Sequence, residues 1–108
     1  MCVITYEEFA RLEMRIGKVL AAERVPGAEK LLRLEVDVGM ERRQLVAGIA
    51  ESYAPEQLAG KEIVVLTNLK PKVIRGVESQ GMLLAVDAGG KSVLLTVDSE
   101  VPVGSIVR

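Results

Sequence analysis

A cluster of cationic side chains lies in the stretch NLKPKVIRGVESQGM, residues 68–82. Its cations are Lys70, Lys72 and Arg75, and its only acid is Glu78. The segment is therefore positively charged within a chain whose net charge is −1. Lysine and arginine attract phosphate oxygens and release the counterions of a nucleic acid. The stretch predicts a local phosphate-binding site, and the alternative is a solvated hairpin loop whose cations keep it soluble.

Hydrogen-bonding and small residues stand beside these cations. Asn68, Ser79 and Gln80 can bond to phosphate, sugar or base edges, while Gly76 and Gly81 allow the backbone to approach a ligand closely. Aromatic residues make up only 3% of the chain, although most single-strand binders stack bases on aromatic platforms. We therefore expect recognition to depend on shape and phosphates.

The residue types for catalysis are scarce. The chain has no histidine, which is the commonest general base near neutral pH and the commonest metal ligand. Cys2 is the single cysteine, and RGVESQG lacks the spacing of a phosphate loop. We expect no catalytic residue, no metal site and no cofactor, so the chain is predicted not to be an enzyme.

Short strands are the main elements that must position the cluster. Thr5 and Glu8 have the spacing of a capping box, which predicts a short N-terminal helix. Leu32, Leu34 and Val36 alternate with charged residues in the clearest half-buried strand. The other predicted elements are strands in MRIGKV (with a bulge near Gly17), RRQLVAGIA, EIVVLTN, MLLAVDA and SVLLTV, a small helix in APEQLAGK, a loop at 68–82, and a short closing segment in VPVGSIVR.

Five or more short strands with one small helix between the third and fourth are typical of the OB-fold, a five-stranded Greek-key barrel. An SH3-like barrel or an open sandwich would give a similar pattern.

The length of 108 residues fits one domain, and the apolar runs are too short to span a bilayer. Without a secretory signal pattern, we expect a cytoplasmic protein that does not bind membranes. An apolar content of 49% in so small a chain also favours a partner subunit.

The stretch NLKPKVIRGVESQGMLLA resembles the central signature of the tRNA-binding domain family. This family includes stand-alone dimeric tRNA-binding proteins, the C-terminal or separate beta module of methionyl-tRNA synthetases, and synthetase cofactors of the endothelial monocyte-activating polypeptide type. The segments FARLEMRIGKV, VPGAEKLLRLEVDVG, LVAGI and LAGKEIVVLTNLKP are similar to the rest of the family pattern, in order. The resemblance covers nearly the whole chain.

The resemblance implies an all-β OB-fold with a short N-terminal helix, spanning 1–108 as a single domain. It also implies binding of the tRNA elbow by structure more than by sequence. The chain is expected to act as a homodimer or as the accessory (beta) subunit of methionyl-tRNA synthetase, raising tRNA affinity without catalysis. The alternative is a chaperone-like module that binds unfolded polypeptides.

The RNA-binding residues expected from the cluster and the resemblance together are Lys30, Arg33, Asn68, Lys70, Lys72, Arg75, Ser79 and Met82. Lysines and arginines would contact phosphates, Asn68 and Ser79 would position backbone or base groups, and Met82 is expected in the core at the rim of the site. Arg33, Arg42 and Arg43 would extend the positive face in one interpretation, and the favoured interpretation pairs them with Glu35, Asp37 and Glu41 across the hairpin. Family members often carry a basic residue where this chain has Val73. A shift of one residue reverses the side of an extended segment, so two orientations of Lys72 remain open, toward the RNA or away from it.

Overall fold

A computed structural model describes residues 2–108, and most of its regular structure is β-strand. One α-helix, α1, spans Tyr6–Phe9, and a 3-10 turn spans Pro55–Gln57. The strands in chain order are β1 Met14–Val25, β2 Ala28–Asp37, β3 Arg42–Ala47, β4 Glu62–Leu66, β5 Lys72–Ile74, β6 Val77–Ser79, β7 Met82–Leu83, β8 Ala85–Ala88, β9 Lys91–Leu94 and β10 Ile106–Val107. The all-β class therefore agrees with the sequence, while the strands of the described residues outnumber the five of the predicted OB-fold barrel.

Helix α1 begins with the predicted capping box. The Thr5 hydroxyl accepts a hydrogen bond from the Glu8 amide at 3.1 Å, and the Glu8 carboxylate accepts one from the Thr5 amide at 3.0 Å. These bonds satisfy N–H groups that the first turn of a helix leaves unpaired. All four residues of α1 are exposed, so the apolar side chains of the helix lie at the surface.

Strands β1 and β2 form the longest hairpin of the fold. β1 ends at Val25, where Pro26 and Gly27 make the turn, and β2 shows the predicted alternation because Leu32 and Leu34 are fully buried. The predicted bulge is wrong in position, since the register slips between Val19 and Ala21 rather than near Gly17.

Gly17 serves close packing instead of a bulge. A Cβ atom at this position would lie 2.6 Å from Cγ1 of Val36 and 3.1 Å from Cγ2 of Val65. Only glycine lets these two core side chains approach the backbone of β1 so closely.

The main sheet runs in the order β3-β2-β1-β4-β7, and β10 pairs with β1. The outer edge of β3 faces the segment between β6 and β7. There, the Gln80 amide donates to the Gln44 carbonyl at 2.8 Å, and the Gln44 amide donates to the Gln80 side-chain oxygen at 3.0 Å. Since β7 lies at the opposite end of the strand order, these bonds close the sheet around an aliphatic core. The fully buried side chains of that core include Val19, Leu32, Leu34, Val36, Leu45, Leu58, Ile63 and Val65.

The predicted small helix in APEQLAGK is shorter than a true helix, because only Pro55–Gln57 form a 3-10 turn. Leu58 is fully buried directly after the turn, and the Gly60 amide donates to the Val19 carbonyl at 2.8 Å. Both anchors hold the segment against the sheet and leave no length for a second helical turn.

The predicted loop at 68–82 is also corrected, because it contains the β5–β6 hairpin. Arg75 and Gly76 form its two-residue turn with φ values of 52° and 79°. Two successive positive φ values match the type I′ turn, whose twist suits a tight hairpin. Within residues 2–108, no helix has the length and apolar character needed to cross a membrane.

Candidate nucleic-acid interface

A groove of about 430 Å³ lies beside the β5–β6 hairpin. Residues 46–49, at the end of β3 and just beyond it, line one wall of the groove together with Ser92. The remaining lining comes from the segment after β4, from β5 and from the region around β7, and consists of Leu69, Lys70, Lys72, Ile74, Ser79, Gly81, Met82 and Leu83. Four of the eight predicted RNA-binding residues therefore line one concave surface, namely Lys70, Lys72, Ser79 and Met82.

Lys70 and Lys72 are the cations of this groove, and both are exposed. Among the described residues, those that line the groove include these two lysines and no acid. Neither lysine forms a salt bridge with any carboxylate of residues 2–108. The groove therefore presents uncompensated positive charge to solvent.

The hairpin register shows which way Lys72 faces. Lys72 and Ile74 lie on the groove side of β5, while Val73 is 65% exposed and is not part of the lining. Val73 pairs directly with Glu78 of β6, and directly paired residues share a face of the sheet. The one acid of the segment thus lies with Val73, on the side away from Lys72.

Arg75 occupies the tip of the hairpin and is exposed. It is the only non-glycine residue with a positive φ among residues 2–108. A left-handed conformation is unfavourable for an arginine, and such strain often marks a functional position. The turn places Arg75 at the tip of the β5–β6 hairpin, directly after Ile74, which lines the groove.

Lys30 is exposed on β2, next to the wall formed by residues 46–49. Its carbonyl accepts a hydrogen bond from the Ala50 amide at 3.2 Å. Lys30 does not line the groove itself, but its backbone lies beside the segment that does. The backbone of Lys30 therefore lies beside one wall of the groove that Lys70 and Lys72 line.

Ser79 is buried and fully engaged within the protein. Its hydroxyl accepts a hydrogen bond from the Val46 amide at 3.0 Å and donates one to the Gly81 carbonyl at 3.0 Å. The hydroxyl thus joins β3 to the segment between β6 and β7, and it positions the floor of the groove.

Asn68 connects the groove segment to the N-terminal region. Its side-chain oxygen accepts a hydrogen bond from the Glu13 amide at 2.8 Å, and its side-chain amide donates to the Arg11 carbonyl at 2.6 Å. Both polar atoms are occupied by backbone groups. Asn68 therefore fixes the start of the 68–82 segment.

Arg33 is held by an ion pair on the outer face of the hairpin. Its Nε donates to the Glu23 carboxylate at 2.6 Å, and its Nη1 donates to the Gln44 side-chain oxygen at 3.0 Å. The hydrogen bond from Arg33 lowers the pKa of Glu23 below its ordinary value. Arg33 pairs with Glu23 of β1 rather than with an acid of its own strand or of β3.

Arg43 makes contacts that the sequence did not reveal. Two of its guanidinium nitrogens bind the Glu41 carboxylate, which agrees with the predicted pairing. Nη1 also donates to the carbonyls of Thr67 and Gln80, the latter at 3.3 Å. These carbonyls stand at the two ends of the segment that carries Lys70, Lys72 and the hairpin. A neighbouring arginine and acid predict an ion pair, but no sequence signal identifies the two backbone acceptors.

The prediction that Met82 belongs to the core is wrong, because Met82 is 46% exposed. The next residue of β7, Leu83, packs against the core, and successive side chains of a strand point to opposite faces. Sequence reasoning carried over Leu69 as a position of the family motif but assigned it no role, and the structure shows it 45% exposed on the groove. The position of Leu69 between Asn68 and Lys70 identifies it as part of the motif, but it does not indicate where the side chain points.

Residues 14–106 match the family model described as a putative tRNA-binding domain. Among curated proteins, the chain is 57% identical over 104 residues to the methionine–tRNA ligase of Thermotoga maritima, and 56% identical over 106 residues to that of Methanothrix thermoacetophila. These matches cover 96% and 98% of this chain but 16% of each relative. The chain therefore spans a small part of the length of these relatives.

Two solved structures share the whole fold. A methionyl-tRNA synthetase related protein from Pyrococcus horikoshii superposes with a TM-score of 0.94 at 44% identity, with complete coverage of both chains. The chaperone CsaA from Bacillus anthracis superposes with a TM-score of 0.90 at 36% identity, covering 99% of this chain and 100% of its own.

Proposed function

Because the chain belongs to the tRNA-binding domain family, we propose that it recognises tRNA by its folded shape and raises the affinity of tRNA without catalysing a reaction. The observation that carries the proposal is the groove that both Lys70 and Lys72 line, without an acid among its described lining residues. A concave cationic surface suits the phosphate backbone of RNA, which dominates the affinity of such complexes.

Lys30, Lys70, Lys72 and Arg75 are the proposed phosphate contacts. All four are exposed, and none belongs to a salt bridge within residues 2–108. Phosphate contacts position a protein on RNA but carry no sequence information. Recognition of tRNA structure, such as the elbow, follows from the spacing of these cations.

Asn68 and Ser79 support the site from within the protein. Both side chains bond to backbone groups of this chain, so their proposed contribution to RNA binding is to hold the groove in shape. Arg33 is proposed as a weaker contact, because RNA would have to compete with Glu23 for its guanidinium.

The proposed architecture is a single OB-fold domain over 1–108. The closure of β3 onto the segment before β7 and the strand order β3-β2-β1-β4-β7 support a barrel of five principal strands. The remaining short strands would be additions to that barrel. The groove, lined by the end of β3 and by the segment after β4, would then belong to the strand face and loops through which OB-folds bind oligonucleotides.

The proposed working state is a homodimer or an accessory subunit of a methionyl-tRNA synthetase. Phe9, Leu12 and Ile106 are exposed apolar residues on one cleft of about 390 Å³, between the N-terminal segment and β10. Apolar surface of this kind marks protein interfaces. The relatives named methionine–tRNA ligase support a role beside such an enzyme.

A second candidate function is the binding of unfolded polypeptides in the cytoplasm. It is favoured by the similarity to the chaperone CsaA and by exposed Leu69 and Met82 in the groove. A gel-shift competition separates the two functions. If folded tRNA binds no better than an unstructured RNA, and a denatured polypeptide displaces it, the tRNA proposal fails.

The direct test measures the dissociation constant for bulk folded tRNA between about 50 and 200 mM salt. Four phosphate contacts give a slope of roughly −3 to −4 in log affinity against log salt. Lys70→Gln combined with Lys72→Gln should bring that slope closer to zero by roughly 2. The control is Lys61→Gln, which removes an exposed lysine outside the groove lining. A flat salt response of the unaltered protein contradicts the proposal.

A further inference from the structure

Two exposed apolar side chains share the groove with the lysines. Leu69 and Met82 are 45% and 46% exposed, and both line the same concave surface as Lys70 and Lys72. Single exposed apolar residues are common on proteins and need no explanation. A pair that lines one groove together with two cations is different, because it offers apolar surface in the same groove as proposed phosphate contacts.

Val73 shows what an isolated exposed residue looks like in the same segment. It is more exposed than either Leu69 or Met82, yet it lies on the other face of the hairpin and outside the groove. Ile74, which does line the groove, is half-buried and continues the apolar surface. The face of the β5–β6 hairpin that carries Lys72 therefore also carries the apolar surface of the groove.

The combination of charge and apolar surface restricts the occupant. A paired A-form helix presents riboses and phosphates while its bases are stacked inside, so it would use the lysines and leave Leu69 and Met82 in water. An apolar peptide would use Leu69 and Met82 and gain nothing from Lys70 and Lys72. A nucleotide whose base is unpaired has both an anionic phosphate and an apolar face, and it matches both halves of the groove.

We propose that Leu69 and Met82 form a subsite for the base of an unpaired nucleotide, whose phosphates lie at Lys70 and Lys72. The inference rests on the proposed RNA-binding function and adds which part of the RNA enters the groove. A volume of about 430 Å³ is within the range of small-molecule sites and accommodates one base with its sugar.

The subsite accepts different bases. The methionine side chain is flexible and polarisable, and its sulfur makes favourable contacts with aromatic rings of various shapes. The Ser79 hydroxyl, a buried polar group of the groove lining, is already committed to Val46 and Gly81. Binding should thus depend on the presence of an unpaired nucleotide and little on its identity.

The test compares two RNAs of equal length, a stem with an unpaired loop and a fully paired duplex. Met82→Ala and Leu69→Ala are each measured on both RNAs, with Val73→Ala as the matched control. Each groove variant should weaken binding of the stem-loop by about 5- to 10-fold, the lower part of the range for aromatic side chains that stack on bases. Duplex binding and the salt slope should stay unchanged, and Val73→Ala should have no effect. Thermal melting verifies that every variant is folded.

The possible failures are distinguishable. Equal loss on both RNAs, no loss in either groove variant, or an equal loss in Val73→Ala overturns the subsite while the salt slope of the unaltered protein still supports RNA binding. If the unaltered protein binds folded tRNA but neither of these RNAs, the subsite is wrong while the proposed function stands. If it binds none of the three, the proposed function itself fails. If Met82→Ala weakens binding of a denatured polypeptide and leaves stem-loop binding unchanged, the apolar surface serves proteins and the nucleotide subsite is wrong.

Discussion

The guanidinium of Arg43 donates a hydrogen bond to the backbone carbonyl of Thr67, which is the residue immediately before the groove-forming segment. The same nitrogen also bonds to the carbonyl of Gln80, near the end of that segment. The sequence suggests that Arg43 is an ordinary surface charge. In the structure, it holds both ends of the segment 68–79 against β3. Its effect on RNA binding should be indirect, through the shape of the groove.

Arg43→Gln should weaken tRNA binding by about tenfold and leave the salt slope unchanged, because no phosphate contact is lost. The matched control is Arg42→Gln, which removes an equal charge from a neighbouring residue that is exposed and paired only with Glu35. Binding isotherms at several salt concentrations provide both quantities. If the slope of Arg43→Gln falls by about 0.7 to 0.9, Arg43 contacts phosphate directly and the positioning role is wrong.

Ser79→Ala should lower the free energy of unfolding by about 1–3 kcal/mol, because it leaves two buried backbone groups without a partner. These groups are the Val46 amide and the Gly81 carbonyl. Urea unfolding measures the change, and Ser99→Ala at an exposed position is the control. Equal stability of the two variants would show that the Ser79 hydroxyl is not needed to close the sheet.

Arg75→Asn should change stability and RNA affinity in opposite directions. Asparagine tolerates the left-handed conformation that Arg75 adopts, so the variant should be more stable by about 0.5–1 kcal/mol. It also removes a proposed phosphate contact, and the magnitude of the salt slope should fall by about 0.9. Arg75→Lys, which keeps both the charge and the strain, is the control in urea unfolding and in tRNA titrations. If Arg75→Asn binds tRNA as well as the unaltered protein does, Arg75 is not part of the interface.

The sequence predicted the framework of the fold because local signals and the final contacts agree. The capping box of Thr5 and Glu8 and the alternation of Leu32, Leu34 and Val36 both depend on neighbours within a few residues. The bulge near Gly17 was misplaced for the opposite reason. Gly17 is required by Val36 and Val65, which are distant in sequence, and a glycine carries no sign of which constraint selected it.

The amino-acid composition of residues 68–82 identified the cationic segment of the site. The direction in which each side chain of that segment faces follows from the strand pairing, which the sequence does not show. The hairpin register places Lys72 on the groove side and Val73 with Glu78 on the other. Arg33 and Glu23 are ten residues apart and meet only because β1 and β2 pair, so the sequence did not show that this guanidinium is engaged. Predicted roles for these residues in RNA binding remain predictions.

Acid should remove a stabilising interaction of Glu13. The hydrogen bond from Arg15, and after it that from the Thr67 hydroxyl, lowers the pKa of Glu13 below its ordinary value of 4.5. A carboxyl whose folded pKa is lowered contributes stability above its unfolded pKa and loses it as the pH falls through the folded pKa. The unaltered protein should therefore be more stable than Glu13→Gln at pH values well above 4.5, and the two should converge below it.

Urea unfolding at a series of pH values measures this convergence. Glu29→Gln is the control, since Glu29 is exposed and belongs to no salt bridge within the described chain. A constant difference between Glu13→Gln and the unaltered protein at all pH values would show that the ionisation of Glu13 is not linked to folding.

Self-association should depend on the apolar cleft between the N-terminal segment and β10. Phe9 and Leu12 line this cleft and are exposed in the isolated chain, and burying them against a second copy would remove apolar surface from water at about 25 cal/mol per Å². Phe9→Glu should therefore shift the protein toward the monomer, because the new carboxylate would be desolvated in the interface. Val86→Glu, at an exposed apolar position of β8 outside the cleft, is the control and should leave association unchanged.

Sedimentation velocity at micromolar concentration distinguishes a dimer from the 11.7 kDa monomer. A monomeric unaltered protein would contradict the homodimer, and a dimer lost in Val86→Glu but kept in Phe9→Glu would move the interface to the β8–β9 hairpin.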